Sequence, residues 1–147
     1  MDVLAIKPRT IEIELTHPGT GEPTGVIIAC ASGFSDEVAS EMFRIRDAAL
    51  AANFFEMSSA EKDEQAKKML AAQIVGWRFE KGATLGGVQD PPCSAENKLK
   101  LLSNRIMRAQ IEAKIAADAA FFDGPESVSP TLSGSPSAST RRSKTGR

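Results

Sequence analysis

A chain of 147 residues with 41% hydrophobic side chains has room and material for one core of ordinary size. Its 18 basic and 19 acidic residues leave a formal net charge of −1, which excludes a strong overall field toward nucleic acid or membrane. Two cysteines, Cys30 and Cys93, stand far apart and outside any C-x-x-C pair, so they cannot staple the domain and a reduced, cytosolic setting is expected.

The chain opens Met1-Asp2-Val3-Leu4-Ala5-Ile6-Lys7-Pro8, without the basic lead and long apolar run of a secretory signal. No apolar stretch reaches membrane-spanning length. From Thr10 to Thr16 apolar and acidic residues alternate, with Ile11, Ile13 and Leu15 on one side and Glu12 and Glu14 on the other, which predicts a half-buried strand. The run Val26-Ile27-Ile28-Ala29-Cys30 follows a Pro/Gly-rich turn, so a hairpin over residues 10–31 is expected. A lone hairpin is marginal in water, and its apolar face needs a third strand, a helix or another copy of the protein to cover it.

Ser35 with Asp36 and Glu37 reads as a capped helix start, and Val38, Met42, Ile45 and Ala49 recur at helical spacing through about residue 53. Ser58 and Glu61 form a capping box ahead of a helix carrying Ala66, Met69, Leu70, Ile74 and Trp77 on one face, ending near Gly76 and assigned to about 59–77. Gly82, Gly86, Gly87 and Pro91-Pro92 predict an extended loop. Ser94 restarts helix over 95–103. Asn104 caps a last one over 105–122, in which Met107, Ile111, Ile115 and Phe122 share a side widened by Ile106, Ala113, Ala117 and Phe121, so that most of its circumference should be packed.

After Asp123 the composition turns to Ser, Thr, Pro and Gly, with Val128 and Leu132 as the sizeable apolar residues, and a disordered tail over 123–147 is expected. Four basic and two acidic residues fall in that tail, leaving 14 and 17 in the domain. The fold class is therefore α+β: one domain over 1–122, with a short N-terminal hairpin and about four helices, followed by the tail.

Catalytic chemistry is hard to find in this chain. His17 is the single histidine and lies in a Pro/Gly turn, so neither a metal set nor a triad can form around it. The segment Gly19-Thr20-Gly21-Glu22-Pro23-Thr24-Gly25 joins two strands and misses the spacing of a dinucleotide loop, and the later glycines lack the Lys-Ser/Thr of a phosphate loop. Cys93 precedes a helix start, a place that can lower a thiol pKa, yet no base is near it in sequence. Lys98, Lys100, Arg105, Arg108 and Lys114 make the last helices locally basic, but no aromatic residues alternate with them to stack bases. The reading is a protein that binds and does not catalyse, with no cofactor, no metal, and neither nucleic acid nor membrane as partner.

One ordered series stands out: Ile74-Val75-Gly76-Trp77 at the end of a helix, a glycine-containing loop, Ser94-Ala95-Glu96-Asn97, a leucine-bearing helix, then Ile106 to Phe122. It resembles the tail assembly chaperones of long-tailed bacteriophages, and with the opening hairpin and helix the likeness covers about residues 10–122. Ala95 stands where that family commonly has Pro, and Pro91-Pro92-Cys93 where it usually has an apolar residue. The resemblance implies a factor in the cytoplasm of the infected bacterium, absent from the finished virion, that holds the tape measure protein soluble and helps recruit tail tube subunits, with self-association open. It also implies a longer product made by ribosomal frameshifting, for which the codons of Phe121-Phe122 are the candidate slip site. Trp77, Phe79, Met107, Ile111 and Phe122 are the candidate partner-binding residues; the competing assignment for the helical ones is the monomer core. A virion component of the tail or head-tail connector is the alternative function.

Overall fold

The computed structural model describes residues 1–122; the expectation for the tail lies outside them. Strand β1 (Ile11–Thr16) keeps the alternation read from its sequence, with Ile13 and Leu15 buried and Glu12 and Glu14 exposed. It pairs antiparallel with β2 (Pro23–Cys30) in the register Ile11 to Cys30 and Ile13 to Ile28. The turn between them is held by His17, whose Nδ1 accepts the N–H groups of Gly19 at 3.0 Å and Thr20 at 3.2 Å.

Ser32 then closes a tight turn into helix α1 (Asp36–Ala51), its Oγ accepting the Phe34 N–H and its carbonyl accepting Ser35 Oγ–H. Ser35 stands at the N-cap position as expected, but its hydroxyl is spent on Ser32 and makes no cap to the helix. Helix α2 (Ser59–Gln73) starts on the full capping box, with Glu61 N–H on Ser58 Oγ and Ser58 N–H on the Glu61 carboxylate.

The helix expected over 59–77 stops at Gln73. Residues Ile74–Phe79 form strand β3, which pairs with β2 and completes a three-stranded antiparallel sheet in the order β1-β2-β3. Its composition suits a strand, since Ile74, Val75, Trp77 and Phe79 are β-branched or aromatic, the residue types that fit a pleated surface. What disguised it is a slip of register between Ala29 and Cys30, which pairs Cys30 with Ile74 and Ala29 with Gly76, so Val75 bulges. A bulge lets residues three apart share a face, and Ile74 and Trp77 therefore mimic helical spacing. Of the covers open to the hairpin, the third strand and helices are the ones used.

The loop after β3 is more ordered than its glycines suggested, with a two-stranded hairpin, β4 (Thr84–Leu85) and β5 (Val88–Gln89), turning at Gly86-Gly87. Both glycines have positive φ, as a tight hairpin turn demands. Helix α3 (Ala95–Leu102) is capped by Ser94, and α4 (Arg105–Ile115) by Asn104, whose Oδ1 takes the N–H groups of Ile106 and Met107. The last helix is shorter than the expected 105–122: a 3-10 turn (Asp118–Phe121) follows it. Nor is it packed nearly all round, because Ile106 and Ala113 face solvent while Ile111 and Ile115 are buried.

The core lies between one face of the sheet and helices α2 to α4. Ile13, Leu15, Val26, Ile28, Cys30 and Ile74 meet Leu70, Leu101, Leu102, Ile111, Ile115 and Phe121 there. Helix α1 contributes none of its residues to this cluster; its buried Val38, Ile45 and Ala49 lie outside it, and its main helix contact is with α2. The opposite sheet face is mixed: Ile27 is buried there, and Arg78 on β3 reaches across β2 to Glu12 on β1 through two hydrogen bonds at 2.7 and 3.3 Å.

Candidate functional site

The five residues singled out from sequence are not one surface. Trp77 and Phe79 stand together on β3, edge to face with ring centroids 5.4 Å apart, half-buried against the core. The indole N–H of Trp77 donates to the Pro91 carbonyl at 2.8 Å, so the ring also fixes the loop that leads to α3. Met107 is half-buried on α4. Ile111 is fully buried. It is an interior residue and reaches no partner while the fold is closed. Phe122 is half-buried, and its ring lies 6.3 Å from that of Phe34, which is exposed.

Large exposed apolar residues lie elsewhere, one group at the N-terminal end (Met1, Val3, Leu4 and Ile6) and a second around α1. In the group around α1, Phe34, Phe43, Leu50 and Phe55 are exposed by 70, 58, 52 and 79% respectively, and what distinguishes them from singly scattered apolar residues is their shared place along one helix. The sequence held the signal for this. The inner stripe of α1 is Val38, Ile45 and Ala49, and Phe43 and Leu50 fall off it, seven residues apart and therefore on one line of a second face. Two depressions follow that face. The first, of about 430 Å³, lies between the start of α1 and the end of α4 and is lined by Phe34, Met42, Phe43 and Ile115 among others. The second, of about 400 Å³, lies between the end of α1 and α2, lined by Leu50, Phe54, Phe55, Ala66 and Met69.

Arg46 lines both depressions and so joins them. Its guanidinium carbon stands 5.5 Å from the centre of the Phe43 ring, and Lys62 Nζ stands 5.4 Å from the centre of the Phe54 ring. A cation over an aromatic face keeps its charge while its stem covers apolar surface.

Both cysteine thiols are raised by burial. Burial pushes the Cys30 thiol up to about 12, with the neighbouring Cys93 adding to it. Burial also raises Cys93, against a smaller lowering by Lys98, so its place ahead of α3 does not activate it. His17 is exposed in its turn with Nδ1 committed to backbone N–H groups. Among the described residues no group of three or more His, Cys, Asp or Glu side chains is placed to hold a metal ion, and no helix is long and apolar enough to cross a membrane. Comparison of the chain with models of known protein families, with curated proteins and with solved structures gives no match.

Proposed function

We propose that this chain is a tail assembly chaperone of a long-tailed bacteriophage, a non-enzymatic protein that binds the tape measure protein and helps recruit tail tube subunits. The observation that carries the binding part is the run of exposed aromatic and aliphatic side chains along α1, joined into one surface through Arg46. The phage part rests on the ordered series from Ile74 to Phe122. Within that series Ser94 caps α3, while Ile74-Val75-Gly76-Trp77, set at a helix end in the resemblance, forms strand β3.

On this reading the chain works in the cytoplasm of the infected host and leaves before the virion is finished. A slip at the Phe121-Phe122 codons belongs to the same proposal, and it would leave the core residues up to Phe121 common to a short and a long product. The gene sequence tests that part: codons that cannot re-pair after a one-base slip remove it.

Affinity purification of the chain from infected cells, with mass spectrometry of what accompanies it, tests the function. A very long, helix-rich tape measure protein is expected among the bound proteins, and the chain is expected to be missing from purified virions. Recovery of the chain as a stoichiometric virion component would favour the alternative, a structural part of the tail or connector.

A further inference from the structure

We infer that the flank of α1 is a groove for one amphipathic helix of a partner protein, a helix whose apolar stripe is bordered on one side by carboxylates. This rests on the chain being a binding protein and names the surface and chemistry by which it binds. The two depressions share Arg46 and extend along α1 from Ala39 to Leu50, eleven residues on, about 17 Å at the rise of an α-helix. That length suits about three turns of a docked helix, which presents apolar side chains at i, i+3, i+4 and i+7 to such a groove.

Charge selects the occupant. The charged side chains lining the two depressions are Arg46 and Lys62, both cationic, and no carboxylate lines either one. Neither cation has a salt-bridge partner among the described residues; each rests over a ring instead. Asp47, one residue beyond Arg46, is rotated by about 100° to the far side of the Phe43–Leu50 line. Cations on one border and an acid on the other orient a helix that carries its carboxylates on a single flank, and repel the reverse placement.

Other occupants fit less well. A second copy would offer α1 itself, and in a two-fold antiparallel pairing each border meets its own equivalent, setting Arg46 against Arg46. Phe122 stands beside Phe34, but the sequence that follows it offers Val128 and Leu132 as sizeable apolar residues among prolines and serines, too little for a helical stripe.

Two capped peptides of about 14 residues test this on the full chain by fluorescence anisotropy, both with a leucine stripe, one flanked on one side by Glu and the other by Lys. The Glu peptide is expected to bind at least about tenfold more tightly, less so as salt rises, and the doubly reversed chain R46E/K62E is expected to invert the preference. Leu50→Asp with Phe55→Asp should abolish binding; both positions are largely exposed, and an unchanged circular dichroism spectrum confirms the fold. Equal binding of the two peptides, binding of neither, or indifference to these substitutions overturns the groove. So does a dimer that dissociates on Leu50→Asp, or a roughly tenfold gain in peptide affinity when residues 123–147 are deleted, since either shows another occupant. If the peptides behave as expected but no tape measure protein is bound, the groove stands and the phage reading falls. If a tape measure protein is held equally by the unsubstituted chain and by R46E/K62E, the phage reading stands and the groove falls.

Discussion

Ile111 shows how one side chain decides between two roles. As an apolar residue on the last helix it could serve a partner or the core, and its complete burial among Leu15, Leu102 and Phe121 assigns it to the core. Ile111→Ala is expected to lower stability by roughly 2–5 kcal/mol in denaturant titration, the usual cost of a buried aliphatic truncation with its cavity. Phe55→Ala, at a residue 79% exposed, should change stability by less than about 0.5 kcal/mol. The cysteines are read at the same scale. With both thiols held above their ordinary value by burial, native protein at neutral pH should react with iodoacetamide far more slowly than the urea-unfolded chain, as mass spectrometry of labelled Cys30 and Cys93 would show.

Elements depend on backbone fits that a sequence pattern only partly displays. Gly25 has φ of +92°, and a Cβ placed on it would stand 2.2 Å from the Glu80 carbonyl oxygen, where β2 runs beside the end of β3. Gly25→Ala should therefore cost on the order of 3 kcal/mol and loosen the β2–β3 pairing, read by denaturant midpoint. On the free edge of β1, Gln110 of α4 stands in for a further strand: its Oε1 accepts the Thr16 N–H at 2.9 Å and its Nε2 donates to the Thr16 carbonyl at 2.8 Å. On the outer sheet face, the hydrogen bonds from Arg78 hold the Glu12 carboxyl below its ordinary value of 4.5. That contribution to stability is present above pH 4.5 and is lost as pH falls through the lowered value, so Arg78→Ala should flatten the acid limb of a stability-versus-pH curve. The hairpin, the capping box and the caps at Ser94 and Asn104 were legible because each rests on local alternation or on one polar side chain. Strand β3 was not, because its bulge gave Ile74 and Trp77 a helical spacing and its pairing partner lies more than forty residues away.

At the scale of the molecule the chain divides into a sheet-and-helix core and an outlying helix. Helix α1 stands outside the main cluster, and at its contact with α2 the buried Gln65 Oε1 has no hydrogen-bond partner among the described residues. An unsatisfied buried acceptor at this contact and the absence of α1 from the main cluster both lower the cost of opening, so amide hydrogen exchange should be faster in α1 than in β2 or α4. The proposed binding surface thus lies on a helix that stands outside the main cluster, whereas all five residues nominated from sequence alone lie in or against that cluster. That difference follows from the fold: which of several apolar stripes is left uncovered depends on where α2 and α4 dock, and a single helix sequence does not contain it. The central claim is that this surface holds a client. Co-expression with a candidate tape measure protein, followed by fractionation and size-exclusion chromatography, tests it most directly. An otherwise insoluble client is expected to appear in the soluble fraction and to elute with this chain; a client that stays insoluble, with the chain eluting alone, would contradict the claim.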